Sequence, residues 1–116
     1  MEKTYKLNMY GKTYNIALRK TTYRNNDTLA IIMMCIGKKG YEEEFGTLTV
    51  NINDSDLLAD ETSAFIDTNN LGSEIVDWLV KNKIANTTPF IGRSGFCSYP
   101  LVMFDNEVVE NMVEYA

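Results

Sequence analysis

The 116-residue chain contains no histidine, two cysteines and two prolines. Without histidine it has no Ser-His-Asp or Cys-His catalytic arrangement and no metal site with an imidazole ligand. Cys35 and Cys97 form no closely spaced pair and lie among apolar residues, which favours two free thiols, with one disulfide as the alternative. We therefore expect no metal, no cofactor and no enzymatic activity.

Long apolar runs are also lacking. The longest, residues 29–36, has eight residues, whereas a membrane-spanning helix needs about 20. The first ten residues carry charges with no apolar run after them, so they lack the pattern of a secretory signal peptide. The length and a hydrophobic content of 45% are typical of one domain with one core. We expect a single cytoplasmic domain, residues 1–116, without membrane contact.

Positive charge is scarce beyond the first third of the chain. Residues 1–40 contain eight basic and two acidic residues, and residues 41–116 contain three basic and fourteen acidic ones. The net charge of −5 is thus the sum of +6 and −11. A negative protein repels phosphate backbones and anionic lipids, so we expect no direct binding to nucleic acid.

Alternation of apolar and polar residues predicts strands in the first part of the chain. Residues 3–9 and 13–19 alternate in this way, and Gly11 between them favours a hairpin turn. Residues 29–36 are all apolar and rich in β-branched residues, which predicts a buried central strand.

Three further strands are predicted later in the chain. Residues 41–52 alternate with a change of register near Gly46, which indicates a β-bulge. Residues 63–67 form a short candidate strand. Residues 96–104 form the last one, and Pro100 places it at a sheet edge or at a bulge because proline has no N–H to donate.

Helical periodicity predicts two helices. The first covers about residues 71–83, with Asn70 or Ser73 as its cap, and a turn through residues 87–89 separates it from the last strand. The second, about residues 106–114, is short and amphipathic; it packs on the domain or, alternatively, binds a partner. The predicted fold is α+β, a mostly antiparallel sheet of about five to six strands with one central helix and a short C-terminal helix.

The segment GRSGFCSYP contains two candidate nucleophiles, Ser94 and Cys97. It lacks the G-x-S-x-G pattern of a nucleophile elbow, because Phe96 stands where the second glycine is needed. Since neither side chain has a histidine to activate it, we interpret the segment as a turn followed by a strand. A small enzyme is the alternative, and it would need a pocket lined by Asp67, Arg93 and Cys97.

Clustered carboxylates form the second candidate site. They are Glu42, Glu43, Glu44, Asp54, Asp56, Asp60 and Glu61. Asp54, Asp56 and Asp60 do not fit a calcium loop, because the required glycine and glutamate are missing. The seven residues are either a solubilising surface or an acidic patch that mimics nucleic acid and binds a basic groove on another protein.

Four stretches of the chain carry a resemblance to a known family. They are KLNMYGKTYNIALRKTTYRNNDTLAI, GTLTVNI, AFIDTNNLG and GRSGFCSYPLVMFD. Over about residues 3–105 they resemble a small uncharacterised domain family carried on plasmids and conjugative elements of Gram-positive bacteria, with FIDTNN and SGFCSYPL as the most specific parts. The resemblance implies no catalytic residues, and the acidic tail after Asp105 looks like an addition.

In size and acidity the chain is also similar to anti-CRISPR proteins that inhibit type II nucleases. These nucleases hold guide RNA and the RNA–DNA heteroduplex in positively charged channels. This similarity implies a non-enzymatic inhibitor from a mobile element. It would bind a CRISPR effector nuclease of the host through the acidic patch and block guide-RNA loading or DNA binding. The alternative is a protein-binding accessory module of a conjugative element with no CRISPR role.

Overall fold

The computed structural model describes residues 2–54, 58 and 60–115, and in these residues the chain forms nine strands and three helices. The strands are β1 (Thr4–Met9), β2 (Lys12–Thr22), β3 (Leu29–Ile36), β4 (Glu42–Thr47), β5 (Thr49–Val50), β6 (Ser63–Ile66), β7 (Ala85–Ser94), β8 (Cys97–Phe104) and β9 (Val113–Glu114). The helices are α1 (Thr68–Leu71), α2 (Glu74–Lys81) and α3 (Asn106–Asn111). The α+β, mostly antiparallel fold is confirmed, although the strands form two sheets rather than one.

The first sheet has the order β1-β2-β3-β4, and β9 pairs with β2 in parallel. Residues 12–17 of β2 pair with β1 and residues 19–20 pair with β9, so β1 and β9 share one side of β2. Tyr10 and Gly11 connect β1 to β2 with φ angles of 55° and 72°. Positive φ at both central residues is what a two-residue hairpin turn matching the twist of the strands requires. The predicted hairpin is confirmed.

Strand β4 forms an edge of the first sheet and contains the predicted bulge. Met33 pairs with Gly46 and Met34 pairs with Glu44, so Phe45 is an extra residue between them. This places the bulge one residue before Gly46. The ring of Phe45 packs edge-on against Tyr14, with centroids 4.9 Å apart.

The second sheet has the order β5-β6-β8-β7. The prediction of a turn through residues 87–89 was wrong, because these residues lie within β7. The pairing of β7 with β8 is irregular there, and the side chain of Thr88 supplies the missing backbone partners. Its Oγ1 donates to the carbonyl of Leu101 at 2.8 Å and accepts from the N–H of Phe90 at 3.1 Å.

Pro100 lies on β8, which is flanked by β6 and β7 and is therefore not an edge strand. Of the two predicted alternatives, the edge was wrong; an irregularity does lie beside Pro100, but the extra residues, 88–90, belong to β7. Pro100 pairs with Ile91, at the end of the irregular segment of β7. On its other side the ladder between β6 and β8 stops at Leu101, where a further ladder bond would require the N–H that proline lacks.

The main hydrophobic core is built from both sheets and α2. Its buried members are Tyr5, Leu7, Ile16, Leu18, Ile31, Met33, Leu48, Ala64, Ile66, Ile75, Leu79, Ile84, Ala85, Val102 and Phe104. We call the sheet faces that carry these residues the inner faces. On the outer face of the second sheet, Phe65, Tyr99 and Leu101 form a second buried cluster. The second sheet is thus apolar on both faces.

The predicted central helix is interrupted near its start. Gly72, with a φ of 83°, separates the single turn α1 from α2. Asp67 caps α1 by accepting from the N–H of Asn70 at 3.2 Å, while Ser73 precedes α2 without a capping hydrogen bond. The indole N–H of Trp78 donates to the carbonyl of Lys6 at 2.7 Å and ties α2 to β1.

The predicted C-terminal helix is confirmed as α3, but it is three residues shorter than expected. Asp105 caps it by accepting from the N–H of Val108 at 3.0 Å. The helix ends at Asn111 because the chain then extends to pair Val113 and Glu114 with β2. Pairing with a distant strand overrides the helical periodicity of these residues.

Candidate partner-binding surface

Glu42, Glu43 and Glu44 lie on β4, at an open edge of the first sheet, and all three are exposed. Glu42 and Glu44 pair with Ile36 and Met34 and point to the outer face, whereas the alternation of the strand directs Glu43 the other way. Charged residues on an edge strand prevent its pairing with other chains. The run therefore places carboxylates on both faces of a solvated edge strand.

Arg19 holds two carboxylates on the outer face of the first sheet. Its Nη2 lies 3.0 Å from Oε1 of Glu2 and 2.5 Å from Oε2 of Glu42. Its Nε donates to Oε2 of Glu2 and its Nη1 donates to Oε1 of Glu42, both at 3.1 Å, so each carboxylate accepts two hydrogen bonds from Arg19. Hydrogen bonding from Arg19 lowers the pKa of Glu42, and the same contacts raise the pKa of Arg19. Glu42 is thus held in an ion pair inside the molecule, although Arg19, Glu2 and Glu42 together keep a net charge of −1.

Glu44 is oriented by the C-terminal end of the chain. Its Oε1 accepts from the hydroxyl of Tyr115 at 2.6 Å. The N–H of Tyr115 donates to the carbonyl of Lys20 at 2.9 Å, which anchors the tyrosine beside β2. Because β3 lies between β2 and β4, the side chain of Tyr115 crosses the outer face to reach Glu44. Hydrogen bonding to Glu44 raises the pKa of Tyr115.

The acids of the following loop lie elsewhere. Asp60 accepts from the N–H and hydroxyl of Thr62 at 2.8 and 2.7 Å, and this lowers its pKa. Asp60 and Glu61 line a cleft of about 440 Å³ together with Leu29, at the start of β3. Asp54 lies in the same connection between β5 and β6, and Asp56 is outside the residues that the structure describes.

The structure does not bring the predicted acidic residues into one patch. Glu42 and Glu44 lie beside Ile36 and Met34, towards the end of β3, whereas Asp60 lies beside its first residue. At a rise of about 3.3 Å per residue, the two groups are separated by roughly 15 to 25 Å along β3. They are two separate acidic surfaces. The acids on β4 are consecutive residues of one strand, whereas the others lie in a loop. We call Glu42, Glu43 and Glu44 the acidic edge.

The ion pair of Arg19 predicts a pH dependence of stability. Because the pKa of Glu42 is lowered in the folded chain, its contribution is present above its ordinary value of 4.5 and disappears as the pH falls through the folded value. We therefore expect Glu42→Gln to lower the urea midpoint at pH 7, and we expect this difference to shrink below about pH 4.5. A difference that stays constant from pH 7 to pH 3 would contradict the ion pair.

Comparison with known proteins places the chain in a family. Residues 17–115 match the family described as a domain of unknown function, DUF4313. The chain belongs to this family. No curated protein and no solved structure matches it. The match extends through α3 and β9, so the prediction that the tail after Asp105 is an addition was wrong.

The hairpin of β7 and β8 gives this DUF4313 protein an exposed apolar end. Ser94 pairs with Cys97, and Gly95 and Phe96 form the two-residue turn, with a φ of 63° at Gly95. Phe96 is fully exposed at the tip, and Phe90 and Ile91 are 52% and 60% exposed. Sequence reasoning missed these residues, although a two-residue turn in GRSGFCSYP would have placed Phe96 at the tip.

The alternative site of Asp67, Arg93 and Cys97 is not assembled in the DUF4313 fold. Cys97 lies on the same face of the hairpin as Tyr99, whereas Arg93 alternates to the opposite face. Burial is the main cause that raises the pKa of Tyr99, and a hydrogen bond with Cys97 adds to it. Asp67 is occupied as the cap of α1.

In residues 2–54, 58 and 60–115, no three Cys, Asp or Glu side chains are grouped so that they could hold a metal ion. Over the same residues, no helix has the length and apolar character needed to cross a membrane.

Proposed function

We propose that this DUF4313 protein is a non-enzymatic inhibitor that binds a type II RNA-guided nuclease through its acidic edge. The observation that carries the proposal is the placement of Glu43 and Glu44 on a solvent-facing edge strand. Glu42 is ion-paired with Arg19, whereas Glu43 and Glu44 present their negative charge to a partner on the two sides of the edge. The strand fixes the spacing of the two residues along the edge, and the hydroxyl of Tyr115 orients the carboxylate of Glu44.

The charge of the whole molecule supports the same partner. The protein carries −5, and residues 48–116 carry −8 of that total, against +3 for residues 1–47. A partner with a positively charged channel for guide RNA or heteroduplex is attracted by such a field, and opposite charge speeds association. The inhibitor would occupy the channel before guide RNA or target DNA does.

A cleavage assay tests this function. A purified type II nuclease is mixed with the protein in excess, either before or after guide RNA is added, and cleavage of a labelled target duplex is followed. We expect strong inhibition when the protein is added first and weaker inhibition after the guide is loaded, because the guide then fills the channel. Unchanged cleavage at a hundredfold excess in both orders would reject the proposal.

The exposed hairpin favours a second candidate, a protein-binding accessory module of a conjugative element without a CRISPR role. Exposed aromatic residues are typical anchors of protein interfaces, and Phe90, Ile91 and Phe96 provide an apolar surface rather than an acidic one. A partner recovered from cells that lack CRISPR systems would support this candidate only if Phe96→Ser abolishes its capture and Glu43→Gln with Glu44→Gln does not.

A further inference from the structure

The end of the chain is attached to the first sheet by a few specific contacts. We call residues 105–115 the C-terminal strap. Lys20 Nζ donates to the carbonyls of Val109 and Glu110 at 2.9 and 3.5 Å, at the C-terminal end of α3. Lysine at this end of a helix satisfies carbonyls that have no partner within the helix. Beyond α3, the strap pairs with β2 at two residues only.

The strap packs shallowly. None of the residues of α3 and β9 is fully buried, although Val108, Val109 and Met112 are partly buried against the core. A cleft of about 310 Å³ lies between α3 and the sheet, lined on the sheet side by Tyr5 and Leu18. A six-residue helix is also too short to be stable by itself in water.

The side chain of Tyr115 is the last tether of the strap. It is anchored to β2 by its backbone and to Glu44 of the acidic edge by its hydroxyl. Releasing the strap would therefore remove the hydrogen bond to Glu44 and the pairing with Arg19 and Lys20 at the same time. It would also uncover the backbone edge of Arg19 and Lys20, which lies beyond the reach of β1, since β1 pairs only as far as Ala17.

We propose that the C-terminal strap detaches from the first sheet as a unit while the rest of the fold stays intact. Detachment exposes the edge of β2 at Arg19 and Lys20 and frees the Glu44 carboxylate. Local openings of this kind arise where few apolar contacts are buried and the backbone hydrogen bonds are exposed, and both conditions hold in the strap. This equilibrium is a property of the free protein and does not depend on the proposed function.

Hydrogen–deuterium exchange of the full chain tests the strap. We expect amides of residues 108–115 to exchange at least a hundredfold faster than those in the centres of β2 and β3. Tyr115→Phe removes the hydrogen bond to Glu44 and should speed strap exchange by about fivefold, the equivalent of about 1 kcal/mol. It should leave exchange in β2 and β3 unchanged.

Tyr41→Phe is the matched control, because Tyr41 is an exposed tyrosine outside the strap. It should leave strap exchange unchanged. Two results would overturn the proposal. The first is that the amides of the strap are protected from exchange as strongly as those of β2 and β3, which would mean that the strap opens only by global unfolding. The other is an equal acceleration of all amides by Tyr115→Phe, which would mean that the strap is not a separate unit.

Discussion

Replacing Phe65 by alanine should lower the free energy of unfolding by about 3 to 5 kcal/mol, the usual cost of removing a buried phenyl ring. Phe65 is fully buried and forms the centre of the second cluster with Tyr99 and Leu101. The backbone of Gly92 lies against its ring and cannot move in easily, because it belongs to the β7–β8 hairpin. The cavity left by the substitution would therefore stay largely open.

Urea unfolding followed by circular dichroism measures this effect, with Phe96→Ala as the matched control. Phe96 is fully exposed at the hairpin tip, so the same chemical change should alter stability by less than about 0.5 kcal/mol. A loss below about 1 kcal/mol for Phe65→Ala, or equal losses for the two variants, would mean that the second cluster is not packed as described.

Replacing Gly92 by alanine should cost about 1 to 3 kcal/mol, because the added methyl group overpacks the cluster. A Cβ at Gly92 would lie 2.5 Å from Cε1 of Phe65 and 2.8 Å from its Cζ, well inside contact distance. The ring is fully buried, so any shift that makes room for the methyl group disturbs the side chains packed around it. Unfolding by urea gives the loss directly.

Gly46→Ala is the control for this prediction. Gly46 also lies in a strand, but a Cβ there would meet no atom within 4 Å, so its substitution should be nearly neutral. Gly92→Ala should cost less stability in a Phe65→Leu background than in the wild type, since the smaller side chain gives the methyl group room. A neutral Gly92→Ala, or losses that simply add in the double variant, would contradict the contact between glycine and ring.

Local sequence patterns predicted the individual elements well. The hairpin at Tyr10 and Gly11, the bulge beside Gly46 and the capped helix after Asp105 all depend on neighbouring residues, and all are confirmed. The division into two sheets depends on a single residue, Leu48, which interrupts the strand predicted at 41–52. Its N–H donates to Ile31 in the first sheet, and its carbonyl accepts from Asp67 after β6. No periodicity reveals such a crossing.

The candidate surface was predicted less completely, because its contacts join distant parts of the chain. Glu42 meets Arg19 across the sheet, and Glu44 meets Tyr115 from the other end of the sequence. The alternation of β2 places Arg19 on the outer face, but only the order of the strands brings it to Glu42. Two acids that were grouped by sequence, Glu44 and Asp60, lie at different ends of β3.

The most direct test of the central claim is a dose–response measurement of nuclease inhibition by two double variants. Glu43→Gln with Glu44→Gln neutralises the acidic edge, and Glu74→Gln with Asp77→Asn removes the same charge from exposed positions on α2. If the acidic edge contacts the nuclease, the first variant should raise the half-inhibitory concentration at least about tenfold. The second should change it less than about twofold, because distant exposed charges are screened. Equal inhibition by the wild type and both variants would contradict the claim and leave the edge carboxylates with the sole task of blocking strand pairing.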